Sequence, residues 1–312
     1  MSAASTRRLL VADSFRVRAN PRTGAAEVRG LDRHLERFRG AALGQLPGAE
    51  ERERENRRLH DEAVAALRAS GEFSPATFLF AGRCAADTAL LDRIDAFLDD
   101  ALARISEYGE GFPRIELWEP ERAGGDPELS LALRPLPELS DTIKLRTAPG
   151  IRLEHAGRKG PNIGRLAELN RELGAEALLL DPKARALEGA TTSLVWWTDA
   201  SDGSGRYVSE TWSRPDRVDS VTEGLLREAA QQRLVGRKPN RRRTGSFSEG
   251  RLTPAELAGH EVWAVNALHG IRPVTSIDGV PADEPVETRL RWFREALDRT
   301  WQPVLGAGAD YT

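Results

Sequence analysis

Residues 155–197 read HAGRKGPNIGRLAELNRELGAEALLLDPKARALEGATTSLVWW, and the rest of the chain is placed relative to this stretch. Its first half contains leucines at helical spacing, at Leu166, Leu169 and Leu173. Apolar residues that recur in this way predict an amphipathic helix, and Gly174 is a typical residue just after a helix end. The stretch therefore predicts a helix between two segments of different character.

Two charged residues flank this helix. Lys159 lies in a segment punctuated by glycine and proline, which places its amine at the junction between a loop and the helix. After the helix, residues 177–180 are typical of a buried strand, a short second strand delivers Glu188, and residues 193–197 predict a third strand. Taken alone, Lys159 would be an exposed loop lysine and Glu188 a surface charge. The order of the surrounding elements favours a functional pair.

The order Lys-x-x-Asn, helix, Glu-Ala-Leu-Leu-Leu-Asp and Glu-Gly-x-x-x-Ser resembles the class IV (fold-type IV) pyridoxal-phosphate enzymes. These are the branched-chain and D-amino-acid aminotransferases and aminodeoxychorismate lyase. The resemblance implies that Lys159 forms the Schiff base with pyridoxal 5'-phosphate and that Glu188 pairs with the pyridine nitrogen. An amine can form an imine with an aldehyde, and a carboxylate keeps the ring nitrogen protonated as an electron sink.

The spacing departs slightly from the family pattern. Glu188 follows Lys159 by 188 − 159 = 29 residues, which suggests a helix shorter by about one turn of roughly four residues. Two other lysines lie nearby. Lys144 belongs to an alternating strand in which it would point away from the apolar side chains, and Lys183 is predicted in a turn. Lys159 remains the expected Schiff-base lysine.

Composition restricts the class of protein. The chain has 312 residues, of which 40% are hydrophobic and 30% charged, as in ordinary globular proteins. A net charge of −3 gives no overall attraction to nucleic acid or membranes, and no apolar run approaches a membrane span. The single Cys84 excludes an intrachain disulfide, and the first residues lack the apolar core of a secretory signal. We expect a cytoplasmic protein, with no metal site.

The N-terminal region predicts a hairpin followed by a helix. Residues 9–17 are expected to form one strand, and residues 26–28 the return strand. The helix that begins near Gly30 matches the family's His-Leu-x-Arg-Phe pattern, so the resemblance assigns Arg37 to the cofactor phosphate. A guanidinium can hold two phosphate oxygens at once. The alternative is one more exposed arginine on an amphipathic helix; His34 is expected to be structural.

Family members normally carry a further strand and a Gly-Asp-Gly loop ahead of this hairpin, and nothing before Leu9 matches that loop. Asp13 and Ser14 stand where the family often has Glu-Thr. This departure weakens any assignment of substrate contacts in the small domain. A non-catalytic scaffold of the same fold is therefore an alternative to an enzyme.

The resemblance continues at a predicted helix start, where Val221 and Thr222 correspond to the family's Ile/Val-Thr pair at the phosphate. Unpaired N–H groups and the helix dipole favour an anion there. Thr222 could instead be only a helix cap, and both roles are compatible.

The run Asn266-Ala267-Leu268 followed by Ile271-Arg272-Pro273-Val274 resembles the lyase-like members in particular. Ala267 replaces the phosphate-binding threonine of the branched-chain enzymes, so contacts from Ala267 and Leu268 would come from the backbone. Arg272 is a candidate partner for a substrate carboxylate, and Asn162 a further substrate-binding candidate.

The implied fold is α+β (α/β) with two domains and the cofactor in the cleft. We expect a small α/β domain over residues 1–134, a linker at 135–141 because prolines disfavour regular structure, and a larger β-rich domain over 142–312. Helices are predicted at about residues 49–70, 85–107 and 285–300, and the basic cluster 236–243 is expected to be an exposed loop. Family members are usually homodimers.

The reaction is predicted from the same segments. Branched-chain members place a tyrosine a few residues after the lysine, and residues 160–165 contain none. We therefore predict an aminodeoxychorismate-lyase-like activity, which converts 4-amino-4-deoxychorismate to p-aminobenzoate and pyruvate. Transamination of a branched-chain or D-amino acid is the alternative.

Overall fold

A computed structural model of the chain describes residues 7–45, 85–122, 125–208, 216–235 and 247–304. The predicted helix at 49–70, Cys84 and the basic cluster 236–243 lie outside these ranges. Among the helices of the described ranges, none has both the length and the apolar character that a membrane span requires.

The N-terminal unit contains two small antiparallel sheets. Its elements are the strands β1 (Leu9–Ser14), β2 (Val17–Ala19), β3 (Ala26–Arg29), β4 (Arg114–Trp118) and β5 (Glu128–Ala132), with the helices α1 (Leu31–Leu43) and α2 (Ala85–Tyr108). One sheet has the strand order β1-β4-β5, and β2 pairs with β3 in the other. The predicted helices at 30 and at 85–107 are thereby confirmed.

The core of this unit lies where both helices meet the strands. The apolar faces of α1 and α2 pack together, and Phe38 and Ile105 are almost completely buried in one cluster with Leu117 of β4 and Phe15, which directly follows β1. Full burial of such a side chain contributes about 1.5–3 kcal/mol. This packing holds β1 and α1 in a fixed relation, which matters for the residues that they present to the site.

The larger unit is built on a nine-stranded mixed sheet. Its strands are β6 (Ile143–Ala148), β7 (Glu176–Leu180), β8 (Ala186–Gly189), β9 (Ser193–Trp197), β10 (Gly205–Val208), β11 (Ser248–Gly250), β12 (Glu261–Asn266), β13 (Gly270–Ile277) and β14 (Val280–Pro281). The order is β11-β10-β9-β12-β13-β6-β7-β8, with β14 beside β13. Its helices are α3 (Ile163–Leu173), α4 (Val221–Val235), α5 (Pro254–Ala258) and α6 (Glu287–Asp298).

Two layers of apolar side chains fix this sheet. Phe293 of α6 packs against Trp197 and Trp263 of the sheet, whose ring centres lie 4.1 Å apart, and apolar residues of α4 join the same cluster. Helix α3 buries Leu169 against β7, as its leucine spacing predicts. The end of α3 is also where the sequence places it, because Gly174 adopts the left-handed conformation with φ of 61°.

Two features differ from the sequence-based expectation. Residues 9–17 form two strands in different sheets, because β1 pairs with β4 while β2 pairs with β3. A last strand, β15 (Trp301–Pro303), pairs antiparallel with β3, and Val304 enters the N-terminal core. The end of the described chain thus returns to the unit in which it begins. Residues 135–141, expected as the linker, contain no helix or strand.

Candidate active site

A cavity of about 300 Å3 lies where the two units meet. Residues of both units form its walls. The resemblance assigns nine residues to the cofactor or substrate, and eight of them line this cavity. They are Arg37, Lys159, Asn162, Glu188, Val221, Thr222, Ala267 and Leu268. Arg272 is not among the lining residues. The fold therefore brings residues that are as far apart in the sequence as Arg37 and Leu268 to one cavity.

Lys159 is delivered by the segment between β6 and α3, which lies directly on β1. The Ala12 N–H donates to the Lys159 carbonyl at 2.8 Å, and Gly160 adopts φ of 138° beside the backbone of Val11. The Lys159 Nζ points back to β1, 3.4 Å from the Ser14 carbonyl. By contrast, Lys144 and Lys183 are exposed.

The Lys159 ammonium is surrounded by protein although it faces the cavity. Its side chain is 28% exposed, and burial lowers its pKa to about 8, although the nearby Asp13 carboxylate opposes this change. Burial penalises the charged form of an amine. A substantial fraction of the Lys159 amine is therefore neutral at mildly alkaline pH, and the neutral amine is the form that can attack an aldehyde.

Asp13 is the centre of a polar cluster that sequence reasoning missed. Its carboxylate is 1% exposed and accepts hydrogen bonds from Arg37 Nε and Nη2, both at 2.8 Å. His34 Nδ1 lies 2.9 Å and Lys159 Nζ 3.5 Å from the same carboxylate. The available signal was an acid inside an otherwise apolar strand, since a buried carboxylate needs partners.

The charges in this cluster determine how its members titrate. Burial alone would raise the pKa of Asp13, but the positive charges of Arg37 and Lys159 hold it well below its usual range. Burial also lowers the pKa of His34, although Asp13 opposes this. The cluster therefore contains an ionised carboxylate, a neutral imidazole and a guanidinium.

The first turn of α4 approaches Arg37 at the cavity. Arg37 Nη1 donates to the Asp219 carbonyl at 2.6 Å, and the helix begins two residues later at Val221. Ser220 rather than Thr222 caps the helix, because the Ser220 Oγ accepts from the Glu223 N–H at 3.3 Å. An N-terminal turn beside a guanidinium is a favourable place for an anion.

Glu188 lies at another part of the cavity wall, near the end of β8. Its side chain is 7% exposed and accepts from the Val218 N–H at 3.4 Å. Burial raises its pKa to about 8, which the nearby Arg217 charge only partly offsets. A cationic N–H that binds beside such a buried carboxyl group stabilises its ionised form. A protonated ring nitrogen is such a group.

The turn between β12 and β13 closes a further side. Asn266 anchors this turn, since its Oδ1 accepts from the His269 N–H at 2.9 Å and its Nδ2 donates to the Thr191 carbonyl at 3.3 Å. The turn presents the backbone of Ala267 and Leu268 to the cavity, and Ala267 also packs on the N-terminal core. Burial lowers the pKa of His269 to about 4, so this ring is neutral near pH 7.

Arg272 occupies a different position from the one expected. It is 7% exposed, and its Nη1 donates to Ser140 Oγ at 3.2 Å in the segment between the units. Three other arginines line the cavity instead, at Arg114, Arg134 and Arg158. Arg134 is held in place by the Phe112 carbonyl and by Ser14 Oγ, each 3.1 Å away. No motif in the sequence singled these arginines out.

The donor set fits pyridoxal phosphate on chemical grounds. Lys159 offers an amine of lowered pKa for the aldehyde, and Glu188 offers a buried carboxylate for a protonated ring nitrogen. Arg37 offers a guanidinium beside the first turn of α4 for a phosphate.

Comparison of the sequence with protein families gives a match to the model of amino-transferase class IV over residues 100–277, more than half of the chain. No curated protein shows significant sequence similarity to the chain.

Solved structures of the same fold cover nearly the whole chain. A T.th. branched-chain amino acid aminotransferase, complexed with N-(5'-phosphopyridoxyl)-L-glutamate, superimposes with a TM-score of 0.62 at 17% identity, over 95% of this chain and 89% of that one. A hypothetical aminotransferase from Mycobacterium tuberculosis has a TM-score of 0.60 at 16% identity, covering 96% and 93%. A proposed 4-amino-4-deoxychorismate lyase of Legionella pneumophila has 0.55 at 14% identity, covering 92% and 90%.

These matches confirm the α+β fold of type IV that the residues around Lys159 and Glu188 predict. The family match confirms the prediction of an enzyme whose cofactor is pyridoxal phosphate. The chain belongs to the class IV amino-transferase family.

Proposed function

We propose that the chain acts on an amino-acid-type substrate in this cavity and that Lys159 is both the cofactor lysine and the base at the substrate Cα. The observation that carries the proposal is that Lys159, Glu188 and Arg37 line one cavity of about 300 Å3. Loop lysines are usually solvated, whereas the protein surrounds this amine closely enough to lower its pKa to about 8.

Each residue then has a defined task. Arg37 and the first turn of α4, with the Val221 and Thr222 N–H groups, would bind the phosphate, and the backbone of Ala267 and Leu268 would close the cofactor site. Glu188 would pair with the ring nitrogen and favour its protonated form. Bound pyridoxal phosphate supplies the electron sink that makes the Cα proton acidic.

Lys159 moves the proton in this scheme. Lys159 faces the cavity, and a pKa of about 8 places its amine close to the working range of a general base. The buried Asp13 carboxylate stabilises the ammonium that forms when Lys159 takes up the proton. This side chain can return the same proton to another atom of the substrate.

For the reaction, we favour the lyase-like conversion of 4-amino-4-deoxychorismate to p-aminobenzoate and pyruvate. The turn segment Asn266-Ala267-Leu268 and the absence of tyrosine from residues 160–165 support this choice. The cavity wall also supports it, because Arg114, Arg134 and Arg158 suit a substrate with more than one carboxylate. Arg134 replaces Arg272 as our candidate for a substrate carboxylate, and Asn162 is retained because it lines the cavity.

Transamination of a branched-chain or D-amino acid is the second candidate. It is favoured by the matching family model, whose description is that of aminotransferases. Both reactions need the same removal of the Cα proton by Lys159, so the residues that line the cavity serve either one.

An assay with and without a keto-acid acceptor separates the two. The purified protein loaded with pyridoxal phosphate receives 4-amino-4-deoxychorismate alone or, in parallel, branched-chain and D-amino acids with 2-oxoglutarate. We expect p-aminobenzoate and pyruvate without an acceptor. Turnover that occurs only with an acceptor would replace the lyase by a transaminase.

Two variants make this assay specific to the site. Lys159→Ala should abolish either reaction, whereas Lys144→Ala, which alters an exposed lysine of β6, should leave the rate unchanged. Equal rates in Lys159→Ala and the unmodified protein would contradict the proposed role of Lys159.

A further inference from the structure

The Asp13 carboxylate connects the two cationic groups of the site. It lies on β1, while Arg37 comes from α1 and Lys159 from the segment before α3. Arg37 binds both carboxylate oxygens, and Lys159 Nζ lies 3.5 Å from Oδ1. Because the Asp13 side chain is only 1% exposed, water screens its carboxylate very little, and its charge acts strongly on Arg37 and Lys159.

We infer that Asp13 is a positioning residue that sets the proton affinity of the Lys159 nitrogen and holds Arg37 at the cavity. The inference rests on the proposed function, since it concerns the lysine and the arginine that we assign to the cofactor. Asp13 acts through these two side chains and is not itself among the residues lining the cavity.

The electrostatic role follows from the charges that face Lys159. Arg37 and Arg134 both disfavour its ammonium, and burial does so more strongly, whereas Asp13 is the carboxylate that favours it. His34 packs against Asp13 from α1, but its own pKa is lowered and it adds no positive charge near pH 7. Removal of the Asp13 charge should therefore make the Lys159 nitrogen less basic.

The positioning role follows from the geometry of Arg37. Two of its nitrogens, Nε and Nη2, bind Asp13, and Nη1 binds the Asp219 carbonyl. These contacts fix the plane of the guanidinium between β1 and the start of α4. Donors on Nη1 and Nη2 remain for an anion, because each of these nitrogens carries two N–H groups.

Four variants test the inference. Asp13→Asn keeps the shape and removes the charge, and Asp13→Ser is a second neutral variant that leaves room for water. Asp13→Glu restores the charge. Glu36→Gln is the matched control, because it removes an exposed carboxylate from the residue next to Arg37 on the same helix. Far-UV circular dichroism establishes which variants are folded.

The first measurement is a pH titration of the visible absorption of the cofactor-loaded protein, since this absorption changes when the Lys159 nitrogen loses its proton. We expect a midpoint lower by about one pH unit or more in Asp13→Asn and Asp13→Ser, which is about a tenfold loss of proton affinity. Asp13→Glu should recover much of the difference, and Glu36→Gln should titrate like the unmodified protein.

The second measurement does not need the cofactor. Competitive acylation of the cofactor-free protein across a pH series, followed by peptide mass spectrometry, gives the titration midpoint of Lys159 itself. The exposed Lys144 serves as internal reference in the same spectra. The Lys159 midpoint should fall in the two neutral variants while the Lys144 midpoint stays constant.

The outcomes separate this inference from the proposed function. Folded neutral variants in which neither midpoint moves would overturn the inference, even if they are less stable, because a purely structural role changes stability and not the titration. If the unmodified protein gave no visible band while the acylation midpoint shifted as expected, the inference would stand and the proposed function would fail.

Discussion

The Ala12 N–H donates to the Lys159 carbonyl at 2.8 Å, so the backbone beside the proposed cofactor lysine is bound directly to a strand of the other unit. Gly160 makes this contact possible. A Cβ at Gly160 would lie 2.7 Å from the Ala12 nitrogen and 2.8 Å from the Val11 Cα, and φ of 138° is unfavourable for other residues. Neither neighbour is a flexible side chain that could move away.

Gly160→Ala should therefore destabilise the protein and separate Lys159 from Asp13. We expect a loss of about 1–3 kcal/mol in the free energy of unfolding, the usual cost of overpacking. Chemical denaturation measures it.

Gly164→Ala is the matched control for this substitution. Gly164 lies in α3, where an added Cβ would meet no atom within 4 Å outside its chain neighbours and the backbone of its own helix, and alanine is the better helix former by about 0.8–1.0 kcal/mol. Equal stability of the two alanine variants would show that the contact between Gly160 and β1 is not as close as described.

A different part of the site depends on Arg37. Arg37→Ala should weaken the binding of pyridoxal phosphate by about 1.5–3 kcal/mol, as expected for hydrogen bonds to charged groups. Equilibrium titration of the cofactor-free protein measures the dissociation constant. Arg33→Ala, one turn earlier on α1, is the control, since Arg33 pairs with the exposed Glu228. Unchanged affinity in Arg37→Ala would remove this arginine from the phosphate site.

The raised pKa of Glu188 predicts how the free energy of unfolding of the cofactor-free protein depends on pH. Burial raises its pKa from 4.5 to about 8, so the folded state binds this proton more tightly than the unfolded chain does. Its favourable contribution is fully present below pH 4.5 and is lost as the pH rises through about 8. Lys159 acts in the opposite direction between about 8 and its ordinary pKa of 10.5, because its lowered pKa favours folding as the pH rises.

Denaturation of Glu188→Gln from about pH 5 to 8 tests this expectation. As the pH rises from about 5 to 8, the free energy of unfolding should fall less in the variant than in the unmodified protein. The difference between the two losses should be a few kcal/mol at most. The control Glu154→Gln removes an exposed carboxylate and should retain the full dependence. A profile in Glu188→Gln that parallels the unmodified protein would assign the effect to another group.

Local signals account for much of the fold that the sequence predicts. The leucine spacing and Gly174 mark α3 correctly, and the short run before Gly189 does become the strand that carries Glu188. The separation of residues 9–17 into two sheets was missed, because β1 pairs with β4 about a hundred residues away and no local pattern encodes a partner so distant.

In the candidate site too, local motifs identify some residues, whereas contacts between distant segments are not encoded in any motif. Resemblance of short motifs was enough to find Lys159, Glu188 and the start of α4, each of which lines the cavity. Asp13 departs from the family pattern, and its place in the site depends on partners from α1 and from the Lys159 segment, which no local motif encodes. Arg272 was selected by its motif, but its side chain turns to Ser140, and side-chain direction is set by packing that the motif does not contain.

The most direct test of the account is to find which lysine binds the cofactor. The protein is loaded with pyridoxal phosphate, reduced with borohydride, digested and analysed by peptide mass spectrometry. We predict a single modified peptide that contains Lys159, a visible absorption band before reduction, and loss of both in Lys159→Ala but not in Lys144→Ala. Modification at Lys144 or Lys183, or a band that persists in Lys159→Ala, would contradict the account.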